Sequence, residues 1–252
     1  VLRAMLSYLK EKFGNPGSIH ALGVEARSAV DTARKTVARL FSAQPDEVVF
    51  TSGGTEANNL AITGTIARIM NYESGVKNKK KIHAITSVIE HSSVLEVFRH
   101  LERRGMMVTY IPVDSNGVID VREFKKSLRP ETVLVSIMYA NNEIGTIQPI
   151  REVAKILRFF KKDKNQGRSL ISRTDLDFGN SKRFDLESGE RLNLGGVPLL
   201  HVDASQAPLY LDMHADRLGA DLITIDGQKV YGPKGIGALF VRRGVELEPQ
   251  IY

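Results

Sequence analysis

Two residue types set the chemistry of this sequence: a lysine amine and a carboxylate, each placed where an apolar strand gives out. Lys229 lies in LITIDGQKVYGPKGIGALFVRR, between one apolar run and a second one punctuated by glycine. Asp203 closes the apolar run of LLHVDASQ further upstream. An amine condenses with an aldehyde, and a carboxylate beside a pyridine keeps the ring nitrogen protonated so that the ring accepts electrons. Such a pair on neighbouring strand ends is what pyridoxal phosphate (PLP) chemistry requires. Gln206, shortly after Asp203, points back toward the same pocket as a donor. If the last strands are neighbours, Asp203, Gln206 and Lys229 converge.

Three more segments carry chemistry-bearing residues. TSGGTEANN (Thr51–Asn59) reads as a strand, a glycine turn and a helix start. Glycine lets the backbone approach a ligand, and the free amides of a new helix make an anion cradle. Gly54 and Thr55 are the expected phosphate contacts. Read alone, the segment is equally a plain helix capped by Thr55 with nothing bound. His91, in SVIEHSS, falls between a strand and a helix, where an imidazole either stacks on a flat cofactor and moves protons or simply caps the helix. In YANNEIG (Tyr139–Gly145), Asn142 is placed to donate to a phenolic oxygen of the ring, unless both asparagines only shape the loop.

The elements that must position these residues alternate. Strands are expected at Glu47–Gly53, Lys81–Ile89, Met107–Val113, Val133–Ala140, Leu199–Val202, Leu222–Ile225 and Ile236–Arg242. Helical spacing runs through TEANNLAITGTIARIM, Ser92–Arg104, Arg122–Arg129 and Ile150–Lys162, and the opening VLRAMLSYLKEKFG is helix-like. Apolar strands separated by amphipathic helices predict a three-layer α/β fold around a largely parallel sheet. Ligands of such folds sit beyond the carboxyl ends of the strands, which is where the candidate residues fall. Asp163–Val197 is polar, glycine-bearing and aperiodic, and reads as an insertion.

Bulk properties narrow the class. The 252 residues suffice for one large domain, and 42% hydrophobic with 25% charged residues is ordinary for a globular chain. The formal charge of +6 is spread along the chain, so a solvated surface is expected and not a nucleic-acid stripe. No membrane span or signal peptide is visible in the sequence, and a cytoplasmic protein is expected. There is no cysteine, which excludes disulfides, thiolate metal sites and a thiol nucleophile within the chain. The histidines show no metal-ligand spacing. Both ends read as cut, since the chain enters on Val1 and stops after a strand.

Jointly, FGNPGSIHALGVEA, VVFTSGGTEANNLAI, ITSVIEHSSVL, VSIMYANNEIGTIQPI, HVDASQ and KVYGPKGIGALFVRR resemble the cysteine desulfurase group of class V PLP enzymes. The resemblance covers most of the chain outside the insertion. It implies the type I aminotransferase fold, Lys229 as the Schiff-base lysine, Asp203 at the pyridine nitrogen and His91 stacked on the ring. It further implies Gly54 and Thr55 at the phosphate, and Asn142 and Gln206 as polar cofactor contacts. It carries with it a homodimer, L-cysteine as substrate, and a sulfur-accepting partner such as an iron–sulfur scaffold or a tRNA-thiolating protein. Another class V activity (an aminotransferase or a selenocysteine lyase) and a non-catalytic scaffold are the competing readings.

Three departures from the family pattern stand out. The sulfur-accepting cysteine and a carboxylate-binding arginine, which the family carries beyond the lysine, have no counterpart in these residues, and neither does the small domain. Asp226 and Gln228 stand where the family usually has the serine and histidine that help hold the phosphate. A carboxylate about 4 Å from a phosphate charge costs up to roughly 4 kcal/mol at an effective dielectric of 20, so Asp226 is expected to turn away, take a proton or pair with a cation. The insertion at 163–197 is the third departure.

Overall fold

The computed structural model describes residues 1–73, 82–165 and 197–251. Seven strands form one sheet: β1 (Val48–Thr51), β2 (His83–Ser87), β3 (Met107–Ile111), β4 (Thr132–Met138), β5 (Leu199–Asp203), β6 (Leu222–Asp226) and β7 (Gly237–Val241). Their order across the sheet is β1-β7-β6-β5-β4-β2-β3. Strands β2 to β6 pair in parallel, whereas β7 is antiparallel to both β6 and β1. Every strand but β7 therefore points the same way, and their carboxyl ends share one edge. The register sets Met138 beside Asp203 and Asp203 beside Thr224.

The strands between the two edges, β2, β4, β5, β6 and β7, are buried on both faces because helices cover both. Along β4, Val135 and Ile137 join one apolar cluster and Leu134 the other, as the two-residue period of a strand requires. The first cluster receives Phe41 from α2 (Ala21–Phe41), Phe124 from α6 (Val121–Ser127) and Leu157 from α7 (Ile150–Asn165). The second receives Ile62 and Ile66 from a continuous helical run. That run begins as α3 (Gly54–Asn59), passes through a π turn (Leu60–Gly64) and continues as α4 (Thr65–Glu73). It also receives Val94, Val97, Phe98 and Leu101 of α5 (Ser92–Arg103), one stripe at helical spacing. The result is the expected three-layer arrangement. A helix at Leu2–Lys10 (α1) and a short one at Ala215–Leu218 (α8) complete the described elements.

Buried histidines stitch the parallel strands side to side. His201 on β5 meets the Ser136 hydroxyl of β4 at 2.8 Å and the Thr224 hydroxyl of β6 at 3.0 Å. His83 on β2 bridges Thr132 at 2.8 Å and Thr109 at 2.9 Å in the same manner. Burial pushes both imidazoles down to about 4, so each is a neutral donor–acceptor pair satisfied by hydroxyls on either side. Both are core histidines whose two ring nitrogens are taken up by hydroxyls.

The strand–helix alternation predicted from sequence stands, with adjustments. Helix α2 is not among the predicted elements, because its buried positions are Gly23, Ala26, Ala38 and Phe41, too small a set to show a periodic apolar face. Helix α7 runs to Asn165, so residues 163–165, expected to open the insertion, finish a helix. The remainder of that expected insertion, 166–196, lies outside the described residues. Among the described residues no helix is long and apolar enough to cross a membrane.

Candidate functional site

Asp203 is the last residue of β5 and 6% exposed. One of its oxygens, Oδ1, accepts from the Ser205 amide at 3.0 Å and the Ser205 hydroxyl at 2.6 Å. The other, Oδ2, accepts from the Asn58 side-chain amide at 2.8 Å. The carboxylate is thus fixed in orientation at the edge of the sheet. Lys229 lies just past the neighbouring strand, on a short 3₁₀ turn (Gly227–Val230) that follows β6. Its side chain is exposed and makes no hydrogen bond or ion pair among the described residues, leaving the amine available. Gln206, half-buried behind Asp203, and Asn142, exposed in the loop after β4, likewise keep side-chain amides without partners among the described residues.

Asn141 is the residue that shapes that loop. Its Oδ1 accepts from the Glu143 and Ile144 amides at 2.8 and 3.0 Å, and its Nδ2 donates to the Ile89 carbonyl at 3.2 Å. Loop shaping therefore falls to Asn141 and does not engage the Asn142 side chain. His91 caps α5: its Nδ1 accepts from the Ser93 amide at 3.1 Å and meets the Ser93 hydroxyl at 2.9 Å. Capping occupies only Nδ1, so Nε2 remains on the exposed side. A cleft of about 380 Å³ between α3 and α5 is lined by Thr55, Asn59, Thr63, His91, Ser93 and His100, which brings Thr55 and His91 together. The larger cleft, about 660 Å³ between α1 and α2, holds none of the predicted residues.

At the start of α3 the cap residue is Gly53, with no side-chain cap bond; Thr55 sits inside the helix and is exposed. Glu56 folds back to accept from the Ser52 amide at 2.6 Å and hydroxyl at 2.5 Å, and the Ser52 hydroxyl leads in holding its carboxyl below the usual range. Gly54 packs tightly. A Cβ there would lie 3.0 Å from the Ser205 hydroxyl oxygen and 3.3 Å from Asp226 Oδ2. Asp226 has therefore not turned away from the helix start. Its Oδ1 accepts from the Gln228 amide at 3.1 Å and its Oδ2 from the Gln228 side chain at 3.0 Å. Gln228, rather than a cation, is its partner.

Asn58, Ser93 and Glu90 complete this edge and do not stand out in the sequence. Asn58, 1% exposed, donates to the Ser93 hydroxyl at 2.9 Å as well as to Asp203, and its Oδ1 has no partner. Glu90, 5% exposed, accepts at Oε1 from the Ser87 hydroxyl at 2.5 Å and the Met138 amide at 3.0 Å, while Oε2 has none. Burial raises its carboxyl to about 8, with the Asp203 charge adding to the effect. The available signal is an asparagine in a helix interior and a glutamate beside the candidate histidine, both costly places for polar groups.

The family model described as aminotransferase class-V matches residues 1–162 and 196–251. The chain belongs to the class V aminotransferases. Within that PLP-dependent family its similar curated relatives are cysteine desulfurases. It is 41% identical over all 252 residues to a cysteine desulfurase IscS of Dictyoglomus turgidum, of which it spans 53%. It is also 41% identical to a mitosomal cysteine desulfurase of Trachipleistophora hominis, with 96% of this chain and 46% of that protein aligned. Among solved structures, a NifS-like protein superposes with a TM-score of 0.79 at 35% identity, covering 100% of this chain and 57% of that one. SspA in complex with cysteine superposes at 0.77 and 33% identity, covering 99% and 60%. The chain spans about half the length of the curated relatives it matches.

Proposed function

We propose that this chain is the PLP-binding large domain, residues 1–252, of a cysteine desulfurase. The enzyme takes sulfur from L-cysteine, releases alanine and leaves a persulfide on a cysteine thiol supplied from outside these residues. The observation that carries the reading is Asp203: a buried carboxylate clamped by Asn58 and Ser205 at the end of β5, next to the turn that bears the unpartnered amine of Lys229.

The residues present suit the cofactor at each end. Asp203 offers an acceptor for a ring N–H, Lys229 an amine for an aldehyde, and Gly54 and Thr55 the first amides of a long helical run for a phosphate. Space at the glycine turn is open, since a Cβ at Gly53 would meet nothing within 4 Å. Asp226 is the discordant neighbour, and its pairing with the Gln228 amide offsets part of its charge. When bound, PLP supplies a ring that draws off the charge developing at the substrate α-carbon. Asp203 would keep a proton at the ring nitrogen. Lys229 would hold the aldehyde end and, when free, move a proton at the substrate α-carbon. His91 would lie against the ring and offer its uncapped Nε2 for proton transfer. Asn142 and Gln206 would orient the cofactor with side-chain amides that have no partner among the described residues. A homodimer, a sulfur-accepting protein partner serving iron–sulfur clusters or thio-modification, and a cytoplasmic setting belong to the same reading.

The test is a titration of the purified protein with PLP, followed by visible absorption. A new band is expected in the wild type and absent in Lys229→Ala; no band in either protein rejects the reading.

A further inference from the structure

Asn58 occupies an expensive position. It is 1% exposed, and its carbonyl oxygen is buried without a partner. An unsatisfied buried acceptor costs more than an apolar side chain of similar shape would. What the amide provides in return is its two N–H groups, one to Asp203 Oδ2 at 2.8 Å and one to Ser93 Oγ at 2.9 Å. Each of these oxygens accepts, so the orientation of the amide is dictated by its partners. The Ser93 backbone amide donates to His91 Nδ1 at 3.1 Å, so the Ser93 hydroxyl, 2.9 Å from the same nitrogen, donates to it as well while accepting from Asn58. Nδ1 is thereby an acceptor, and the imidazole carries its proton on Nε2.

We propose that Asn58, acting with Ser93, is a positioning residue that links Asp203 to His91, so that the acid at the ring's edge and the imidazole at its face are set by one hydrogen-bonded chain. The inference rests on the cofactor reading above. Asn58 lies in the opening turns of the helical run that begins with α3, and Ser93 in the first turn of α5, while deeper contacts between these helices are apolar. The polar bridge fixes the end of the helix pair that faces the site. It also gives His91 Nδ1 a second donor beside the Ser93 backbone amide.

The experiment uses the full chain carrying Asn58→Ala, Asn58→Asp or Ser93→Ala. Nitrogen–proton correlation spectra of histidine-labelled protein, taken without cofactor, read the tautomer of His91, assigned by the signal lost in His91→Ala. Wild type is expected to give a single Nε2–H form, and all three variants a shifted Nδ1 resonance. The PLP dissociation constant is expected to rise about tenfold in Asn58→Ala. The Asn58→Ala and Ser93→Ala effects should be less than additive, because both break the same chain. Unmoved His91 resonances, or strictly additive effects on affinity, overturn the proposal. Asn58→Asp keeps the shape without the donors, and Ser93→Ala lies at a partly exposed helix start, so a folding failure of Asn58→Ala leaves the question decidable. If the wild type binds no PLP, the proposed function falls while the spectra still decide whether the link exists.

Discussion

Glu90 holds a proton that a solvent-exposed glutamate would have given up. Desolvation is the main cause, and hydrogen bonds from Ser87 and Met138 only partly oppose it. A carboxyl whose folded value lies above its unfolded one keeps its proton while the unfolded chain releases it. Stability therefore falls as pH climbs from 4.5 to about 8, and levels off beyond. Glutamine can accept both existing bonds at Oε1 and remains neutral throughout. Glu90→Gln should accordingly gain on wild type between pH 5 and pH 8 by on the order of 2–4 kcal/mol, read from denaturant unfolding at the two pH values. A gap that does not change with pH would show that Glu90 is ionised in the folded protein. At this scale the sequence displays Lys229, Asp203 and His91 because their chemistry is distinctive wherever they stand. Asn58 and Ser93 matter through their partners on another element, and nothing in their own types or spacing announces that.

Strand β7 returns against the direction of its neighbours, and Gly237 is where it passes closest to the glycine turn before α3. A Cβ at Gly237 would lie 2.7 Å from the Gly53 carbonyl carbon, 2.8 Å from Gly53 Cα and 2.9 Å from the Ile225 oxygen. These are backbone atoms, which cannot swing aside as a flexible side chain could. Gly237→Ala should cost about 1–3 kcal/mol of stability through overpacking and weaken PLP binding as the turn is displaced. Unfolding and PLP titration of the same sample check both effects; a variant with wild-type affinity would detach the turn from cofactor binding. Element positions are largely readable in the sequence, since strands buried on both faces appear as short apolar runs bounded by glycine. The antiparallel sense of β7 is not, because pairing direction depends on the path of the chain and not on the composition of the strand. Helix α2 escapes for the opposite reason: small residues bury without leaving a visible stripe.

The molecule as a whole works by sheet order. Placing β5 and β6 side by side, with β4 and β2 beyond them, brings the ends of four separate segments to one edge, so Asp203, the Lys229 turn, the Asn141–Asn142 loop and His91 become neighbours despite their spread in sequence. That convergence is legible in the sequence only on the condition that the last strands are adjacent, and pairing partners are not written in the strands themselves. Asp226 shows the other boundary of sequence reasoning. Its identity raises the charge problem at the phosphate end, but only the fold reveals Gln228 as the partner that answers it. The pairing of Lys229 with the cofactor is decided by loading the protein with PLP, reducing it with borohydride and mapping the modified peptide by mass spectrometry. A single stoichiometric modification on Lys229, suppressed in Asp203→Ala, is the expected result. Label scattered over surface lysines, or none retained, would contradict it.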